Sequence, residues 1–437
     1  MKLRSVFLVG LLLTSLFFTA NPTPSSAAGI TKYPPLNAAT FWQKQTKNST
    51  QIVLTPNQIT NFNQAIISKN PTVYNLAQYS SQLTRAQLQS MLNEELLAED
   101  YYAQAAKVTT SMKDTVRQEL NLAQLNSVNP VRYGVTVRRC HLRGLPVVTG
   151  WFRTPADTNF DLLQETALDP GEPVIILHTS ASGNFFFVQM RNYRGWLARK
   201  DVATTTREQC LSYDTMPHFL TVLAPQLLVT YPREQVLYQM GSKLKLTGSN
   251  ATNWQVLVPT ATTTGTLEEL PLTMAKTGAV RSGYLPYTRA NVLEQAFKFN
   301  GAPYGWGGLK NSVDCSSFIA DVYRTVGIYL PRNADEQEVT SGTELNFTTL
   351  ELAQRQAALF TLSAGDLLYL NGLHTMLYLG ATNQQHYCLH ALGSYYKQTN
   401  TGLVQVPILQ VVVSDLSLQL SSGKSFLATL TTAKSLR

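Results

Sequence analysis

The chain has 437 residues, 44% hydrophobic and 14% charged, so it is long enough for several domains and too apolar for global disorder. Its formal net charge of +8 comes from 35 Lys and Arg against 27 Asp and Glu, with no run of five or six like charges. That excludes a nucleic-acid reader built on a basic stripe and suits contact with an anionic polymer.

Residues 1–28 read as a secretory signal. Lys2 and Arg4 make a basic start, and the apolar run 6–18 is short for a membrane span. Ser26, Ala27 and Ala28 offer a cleavage site before Gly29. No cysteine precedes Cys140, which excludes a lipidated N-terminal cysteine. The expectation is an exported protein, periplasmic or secreted, with no stable membrane anchor after cleavage.

Residues 29–128 read as a helical and irregular segment. Thr55-Pro56 looks like a helix start, with Ile59, Phe62 and Ile66 on one face. Thr84 and Gln87 form a capping box ahead of Leu88, Met91 and Leu92. Nothing here suggests chemistry, so the segment is read as a packing or clamping piece. Strand signals then take over. The apolar run 174–178, the turn Ser182-Gly183-Asn184 and the strand 185–190 make one strand–turn–strand passage. Leu244 and Leu246 alternating with Lys243 and Lys245, then Gly248-Ser249-Asn250, then the strand 254–258 make another. Two such passages predict two small β-barrels in series, at 129–205 and 206–287; one larger β-domain is the alternative. Over 288–437 the pattern mixes a helix at 289–299, a glycine-rich loop, a second helix and then strands, as in a separate α+β domain.

Four cysteines occur: Cys140, Cys210, Cys315 and Cys388. In an oxidising compartment an even count invites disulfides. Two bridges would consume Cys315, whereas a Cys140–Cys210 bridge would leave it free. The spacing lacks the CxxC pairs of structural zinc.

The informative stretch is Tyr304-Gly305-Trp306-Gly307-Gly308 followed by Asp314-Cys315-Ser316-Ser317-Phe318. Phe318, Ile319, Val322 and Val326 keep helical spacing, Gly327 stops the helix and Pro331 follows. Asp314 is a good N-cap, which puts Cys315 in the first turn, where the helix end favours a thiolate and lowers the thiol pKa. Residues 307–312 lack the G-K-[ST] ending of a nucleotide loop. A base comes from strands starting at Gly365, His374 and His386. A hairpin centred on Thr382, with a five-residue loop at 380–384, would set His374 opposite His390 on one face. Cys315, His374 and His390 would then serve as nucleophile, base and orienter. His386, Cys388 and His390 also share a face, but one strand rarely supplies a whole zinc site and no acidic ligand lies beside them. The reading therefore takes no metal and no cofactor, with His386 a solvated hairpin residue and Cys388 a packed one.

These residues resemble the NlpC-type cell-wall peptidases, a papain-like family. The resemblance rests on the loop 304–308, Asp314-Cys315-Ser316, Gly365-Asp366-Leu367, His374 and His390-Ala391, and covers about the last 150 residues. Gln164-Glu165-Thr166, Pro170-Gly171-Glu172-Pro173 and Tyr193-Arg194-Gly195-Trp196 extend it to the subset with an N-terminal clip and two bacterial SH3-like barrels. The resemblance implies a papain-like α+β catalytic domain, preceded by two small SH3-like β-barrels and the clip. It implies a cysteine endopeptidase that cuts the D-γ-glutamyl–diamino acid bond of peptidoglycan stem peptides bearing a free N-terminal L-alanine. Tyr304 would help hold the oxyanion beside the Cys315 N–H. Glu165 would meet the substrate ammonium, with Tyr193 as a neighbouring phenol, and Trp306, Asp314 and Ser316 would flank the substrate. Where many relatives have Asp-Ser after Arg332, this chain has Asn333-Ala334, losing a charge and a hydroxyl at a substrate-contact position. An amidase or acyltransferase on the same fold, and a non-catalytic wall-binding protein, are the alternative readings.

Overall fold

The computed structural model describes residues 29–92, 94–231 and 234–437; the reading of 1–28 as a secretory signal lies outside them. Among the described residues no helix is long and apolar enough to cross a membrane.

The N-terminal segment works as a strap with two halves. In the first, Thr55 and Gln58 form a capping box at the start of the helix Pro56–Lys69. Phe62 and Ile66 are buried on its inner face, as the spacing predicts. Together with Leu36, Trp42 and Leu54 they join the core of the C-terminal domain. The strand Ile52–Leu54 pairs with Tyr287–Thr288 at the entrance to that domain. In the second half, Thr84 and Gln87 cap the helix Arg85–Met91 reciprocally. Leu88, Leu97, Leu120 and Leu125 pack there against Trp151, Ile175, Leu177, Phe187 and Trp196 of the first β-unit.

That packing explains a feature of the first β-unit. Its strand Pro173–Thr179 is apolar on both faces rather than alternating. Val174 and Ile176 point into the barrel with Phe186 and Val188, while Ile175 and Leu177 point outward under the strap. The unit is one seven-stranded antiparallel sheet. Its order is Val202–Thr205, Arg132–Thr136, Pro173–Thr179, Phe185–Gln189, Arg194–Ala198, Cys140–Arg143 and Gln164–Leu168. The second β-unit has a five-stranded sheet and a hairpin, Gln226–Tyr231 with Glu234–Gln239. They enclose Leu220, Val222, Val229, Val236, Val256 and Val258. The helix Arg207–Thr215, assigned on sequence to the second unit, leans on the first: the Cys210 thiol donates to the Gly134 carbonyl at 3.2 Å. All four cysteines are free thiols, so the Cys140–Cys210 bridge does not form. Both of those thiols are buried.

In the C-terminal domain a six-stranded antiparallel sheet runs in the order Thr343–Asn346, Thr432–Ser435, Leu367–Tyr369, Thr375–Thr382, Gln385–Thr399, Gly402–Asp415. The helices Arg289–Phe297 and Cys315–Arg324 pack on one face. Phe318, Ile319 and Val322 are fully buried there, each contributing about 1.5–3 kcal/mol. This fixes the axis of the helix whose first residue is Cys315.

Candidate active site

The site begins with a loop that needs its glycines. Between Trp306 and Asn311 the backbone turns through positive φ at Gly307 (56°), Gly308 (82°) and Lys310 (59°). A Cβ on Gly307 would lie 2.6 Å from Gln164 Cγ, and one on Gly308 2.6 Å from Ala167 Cβ. The loop is thus pressed onto the strand Gln164–Leu168 of the first barrel. Gln164 Nε2 donates to the Gly307 carbonyl at 2.7 Å, and Trp306 Nε1 to the Asp161 carbonyl at 3.0 Å.

Asp314 closes the loop and opens the helix. Its Oδ1 accepts the Ser317 N–H at 2.9 Å, and its Oδ2 accepts the Gly307 N–H at 3.0 Å. Arg332 pairs with both oxygens, at 3.2 and 2.5 Å. The guanidinium holds the Asp314 carboxyl below its ordinary range in spite of burial. Arg332 also donates to Ser316 Oγ at 2.9 Å and Thr166 Oγ1 at 2.7 Å. Asp314 and Ser316 are both buried. Their polar atoms bond within this network, which supports the helix start. Arg332 was not singled out on sequence; nothing local marks it, because its partners lie 16, 18 and 166 positions away.

Cys315 follows as the first helical residue, partly exposed. The backbone N–H groups of Thr375 and Ser316 favour its thiolate, but burial and the Asp314 charge act more strongly, and the thiol is pushed up to about 12. Burial lowers His374 to about 4. The expected depression of the thiol pKa is therefore reversed: the helix end is felt, and desolvation outweighs it. Both shifts favour the neutral forms, thiol and imidazole.

The histidine hairpin also departs from the expected register. Thr382 pairs with Gln385, so the turn is only Asn383-Gln384, at φ 50° and 62°. A bulge at Leu379 then sets Leu377 opposite Leu389. Continued, that ladder puts Met376 across from His390, with His374 on the diagonal. The offset is two residues, so the two histidines keep a common face. Nε2 of His374 lies 2.7 Å from Nδ1 of His390. His390 is fully buried, and its Nε2 lies 2.9 Å from Ser414 Oγ. His386 is not solvated: it is 5% exposed, its ring bonded to the Tyr378 hydroxyl and the Gln356 carbonyl. Cys388 is fully buried. Among the described residues no three His, Cys, Asp or Glu gather as a metal site.

Tyr304 is buried beside Phe160, with ring centroids 5.9 Å apart. Burial and the proximity of Cys315 and Asp314 raise its hydroxyl pKa well above the usual value, keeping it a donor. Trp306 also packs against Phe160, edge to face at 5.7 Å between centroids. On the first barrel the Tyr193 hydroxyl donates to Glu165 Oε2. Leu96 of the strap approaches the same carboxylate across Gly144. The charge of Arg332 is felt by both Tyr193 and Cys315. Asn333 caps the short helix Ala334–Glu338 with Glu336, and Ala334 is buried.

Residues 301–412 match the NlpC/P60 family, and residues 151–198 match an SH3 domain of the SH3b1 type. The C-terminal domain is an NlpC/P60 domain. The chain is 32% identical over 85 residues to the bifunctional muramidase/DL-endopeptidase CwlT of Bacillus subtilis (strain 168), 19% of this chain and 22% of that protein. It is 31% identical over 99 residues to dipeptidyl-peptidase 6 of Lysinibacillus sphaericus, 22% of this chain and 32% of that protein. It therefore spans less than a third of the length of either curated relative. Across nearly its whole length it shares the fold of an NlpC/P60 endopeptidase from Photobacterium damselae subsp. piscicida. The TM-score is 0.76 at 16% identity, covering 94% of this chain and 98% of that one. The NlpC/P60 domain is thus preceded by SH3-like β-structure, as the resemblance implies.

Proposed function

We propose that this chain is an exported cysteine endopeptidase that hydrolyses the D-γ-glutamyl–diamino acid bond of peptidoglycan stem peptides bearing a free L-alanine. The observation that carries the chemistry is the junction of helix start and histidine pair. Cys315 sits at the first turn under the backbone N–H of Thr375, the residue after His374, and the His374 ring is bonded to His390. The relatives' printed activities, a DL-endopeptidase and a dipeptidyl-peptidase, support the class of bond.

Because thiol and imidazole start neutral, proton transfer accompanies attack. His374 takes the thiol proton as Cys315 Sγ adds to the γ-glutamyl carbonyl. The Cys315 N–H and the Tyr304 hydroxyl receive the oxyanion, stabilising charge that exists only in the transition state. His374 then protonates the leaving amine. Water, deprotonated by the same ring, releases the acyl group and returns the proton to sulfur. The Glu165 carboxylate, with Tyr193 beside it, binds the ammonium of the terminal alanine; a longer chain, acylated there, brings no charge to meet it.

Digestion of defined wall peptides beside intact sacculi, with mass spectrometry of the products, tests this. The expected result is cleavage of the free tripeptide alone, and no turnover by a folded Cys315→Ala variant. An active Cys315→Ala protein refutes the nucleophile. Cleavage of N-acylated peptides at an equal rate refutes the role of Glu165. Deamidated or acyl-transfer products mark the amidase or acyltransferase alternative.

A further inference from the structure

We infer that Ser414 is a positioning residue that fixes which nitrogen of His390, and through it of His374, carries the proton. The inference rests on the reading of His374 as the base for Cys315. Ser414 lies near the end of the strand Gly402–Asp415 and is fully buried. It pairs with Cys388, while Val412 pairs with His390, so its side chain reaches His390 along a diagonal of one face.

The argument is a count of protons. A hydroxyl owns one. Ser414 Oγ donates to the Asp415 carbonyl at 3.0 Å, and a carbonyl oxygen can only accept. The same Oγ, 2.9 Å from His390 Nε2, must then accept, so His390 carries its proton on Nε2. In a neutral imidazole the other nitrogen is an acceptor. His390 Nδ1 therefore accepts, and its partner at 2.7 Å, Nε2 of His374, donates. The one proton of neutral His374 is thereby placed at Nε2. Its Nδ1 is left with a lone pair, the state needed to take a proton from a thiol. If the hydroxyl turned toward His390 instead, each ring would reverse and His374 would carry its proton on Nδ1, where it could not act as a base. The Cys388 thiol lies 3.7 Å from Ser414 Oγ, but it is also directed at Met376 Sδ (3.5 Å) and the Ser414 carbonyl (3.6 Å).

The backbone around Ser414 is itself held. The Thr31 N–H donates to the Val413 carbonyl at 3.1 Å, and the Asp415 N–H to the Gly29 carbonyl at 2.7 Å. The beginning of the strap thus adds a strand beside Ser414, and Ile30 bridges to it directly.

Two-bond 1H–15N correlation spectra of the full chain, with 15N-labelled histidine and no substrate, test the inference. Both His374 and His390 are expected as Nε2–H tautomers. In Ser414→Ala the His390 pattern should become a mixture, and kcat should fall at least tenfold with KM within about twofold. Ser414→Thr, which keeps the hydroxyl, should retain the wild-type tautomers. Nδ1–H on either ring of the wild type overturns the inference, as does a Ser414→Ala protein with unchanged tautomers and kcat. The wild-type spectrum decides even if neither variant folds. It is equally readable in a Cys315→Ala protein, so failure of the peptidase reading and failure of this one are distinguishable.

Discussion

Arg332 carries a charge that water hardly reaches: 8% of its side chain is exposed, as is 8% of Asp314. The guanidinium fork satisfies both carboxylate oxygens, the Ser316 hydroxyl and the Thr166 hydroxyl, a set that a single ammonium could not meet. Removing one member of a buried pair strands the other. Arg332→Met should therefore destabilise the protein by about 3–5 kcal/mol in urea unfolding, because Asp314 loses the charge that keeps it ionised. A loss below about 1 kcal/mol would mean that the pair is already solvated. At this scale the sequence was legible where the signal is local. The N-cap role of Asp314 needs only Ser317, three residues on. Arg332 and Ser414 were not legible, because their partners become neighbours only once strands are registered and domains docked. The direction of the thiol shift was misread for a related reason: a helix start can be seen in a sequence, whereas the burial that outweighs it cannot.

The elements around the site are held in place by approach as much as by bonding. The loop from Trp306 to Asn311 can rest on the barrel strand because Gly307 and Gly308 present no side chain to Gln164 and Ala167. Gly307→Ala would bring a methyl to 2.6 Å from Gln164 Cγ and 3.0 Å from its carbonyl oxygen, at a φ of 56°. The expected outcome is a loss of about 1–3 kcal/mol of stability and a lower kcat, since the same loop leads into Asp314 and Cys315. Unchanged melting and unchanged turnover would show that barrel and loop are uncoupled. The histidine hairpin marks what pattern alone can and cannot give. Alternation placed His374 and His390 on one face, and that survived. The turn was misjudged because Asn383 and Gln384 both accept positive φ, making a two-residue turn where five residues were expected. The shorter turn shifted the ladder by three steps and the bulge at Leu379 took one back, leaving an even offset.

For the molecule as a whole, buried imidazoles set the response to acid. Burial lowers His374 to about 4, and burial together with His374 takes His390 well below the ordinary value. His178 and His386 are lowered by burial as well. Between about pH 4 and 6.5 the unfolded chain binds protons at these positions that the folded chain refuses, so stability rises with pH across that window. His141 is lowered to about 4 in the same way, while Asp321, raised to about 6 by burial, pulls in the opposite direction with Glu172 and Asp201, three acids against five histidines. Thermal melts should show Tm climbing from pH 4.5 to 7 and levelling above; a Tm that falls across that interval would contradict the assignment of neutral histidines. The architecture itself was readable as strap, β-units and α+β domain, because each carries its own periodicity. The helix Arg207–Thr215 lies between the two β-units, with Cys210 bonded to Gly134 of the first and Tyr213 to Glu269 of the second, contacts whose range keeps them out of any local pattern.

Small β-barrels beside a hydrolase are readily pictured as tethers on a flexible leash, whose loss would cost only localisation. Here Gln164 clasps Gly307, Thr166 clasps Arg332 and the Asp161 carbonyl receives Trp306, so the first barrel is part of the housing of the nucleophile. An excised C-terminal half would keep its cysteine and histidines yet lack the surface that shapes the loop ahead of them. In such a molecule, trimming the barrel reshapes the site as well as the address.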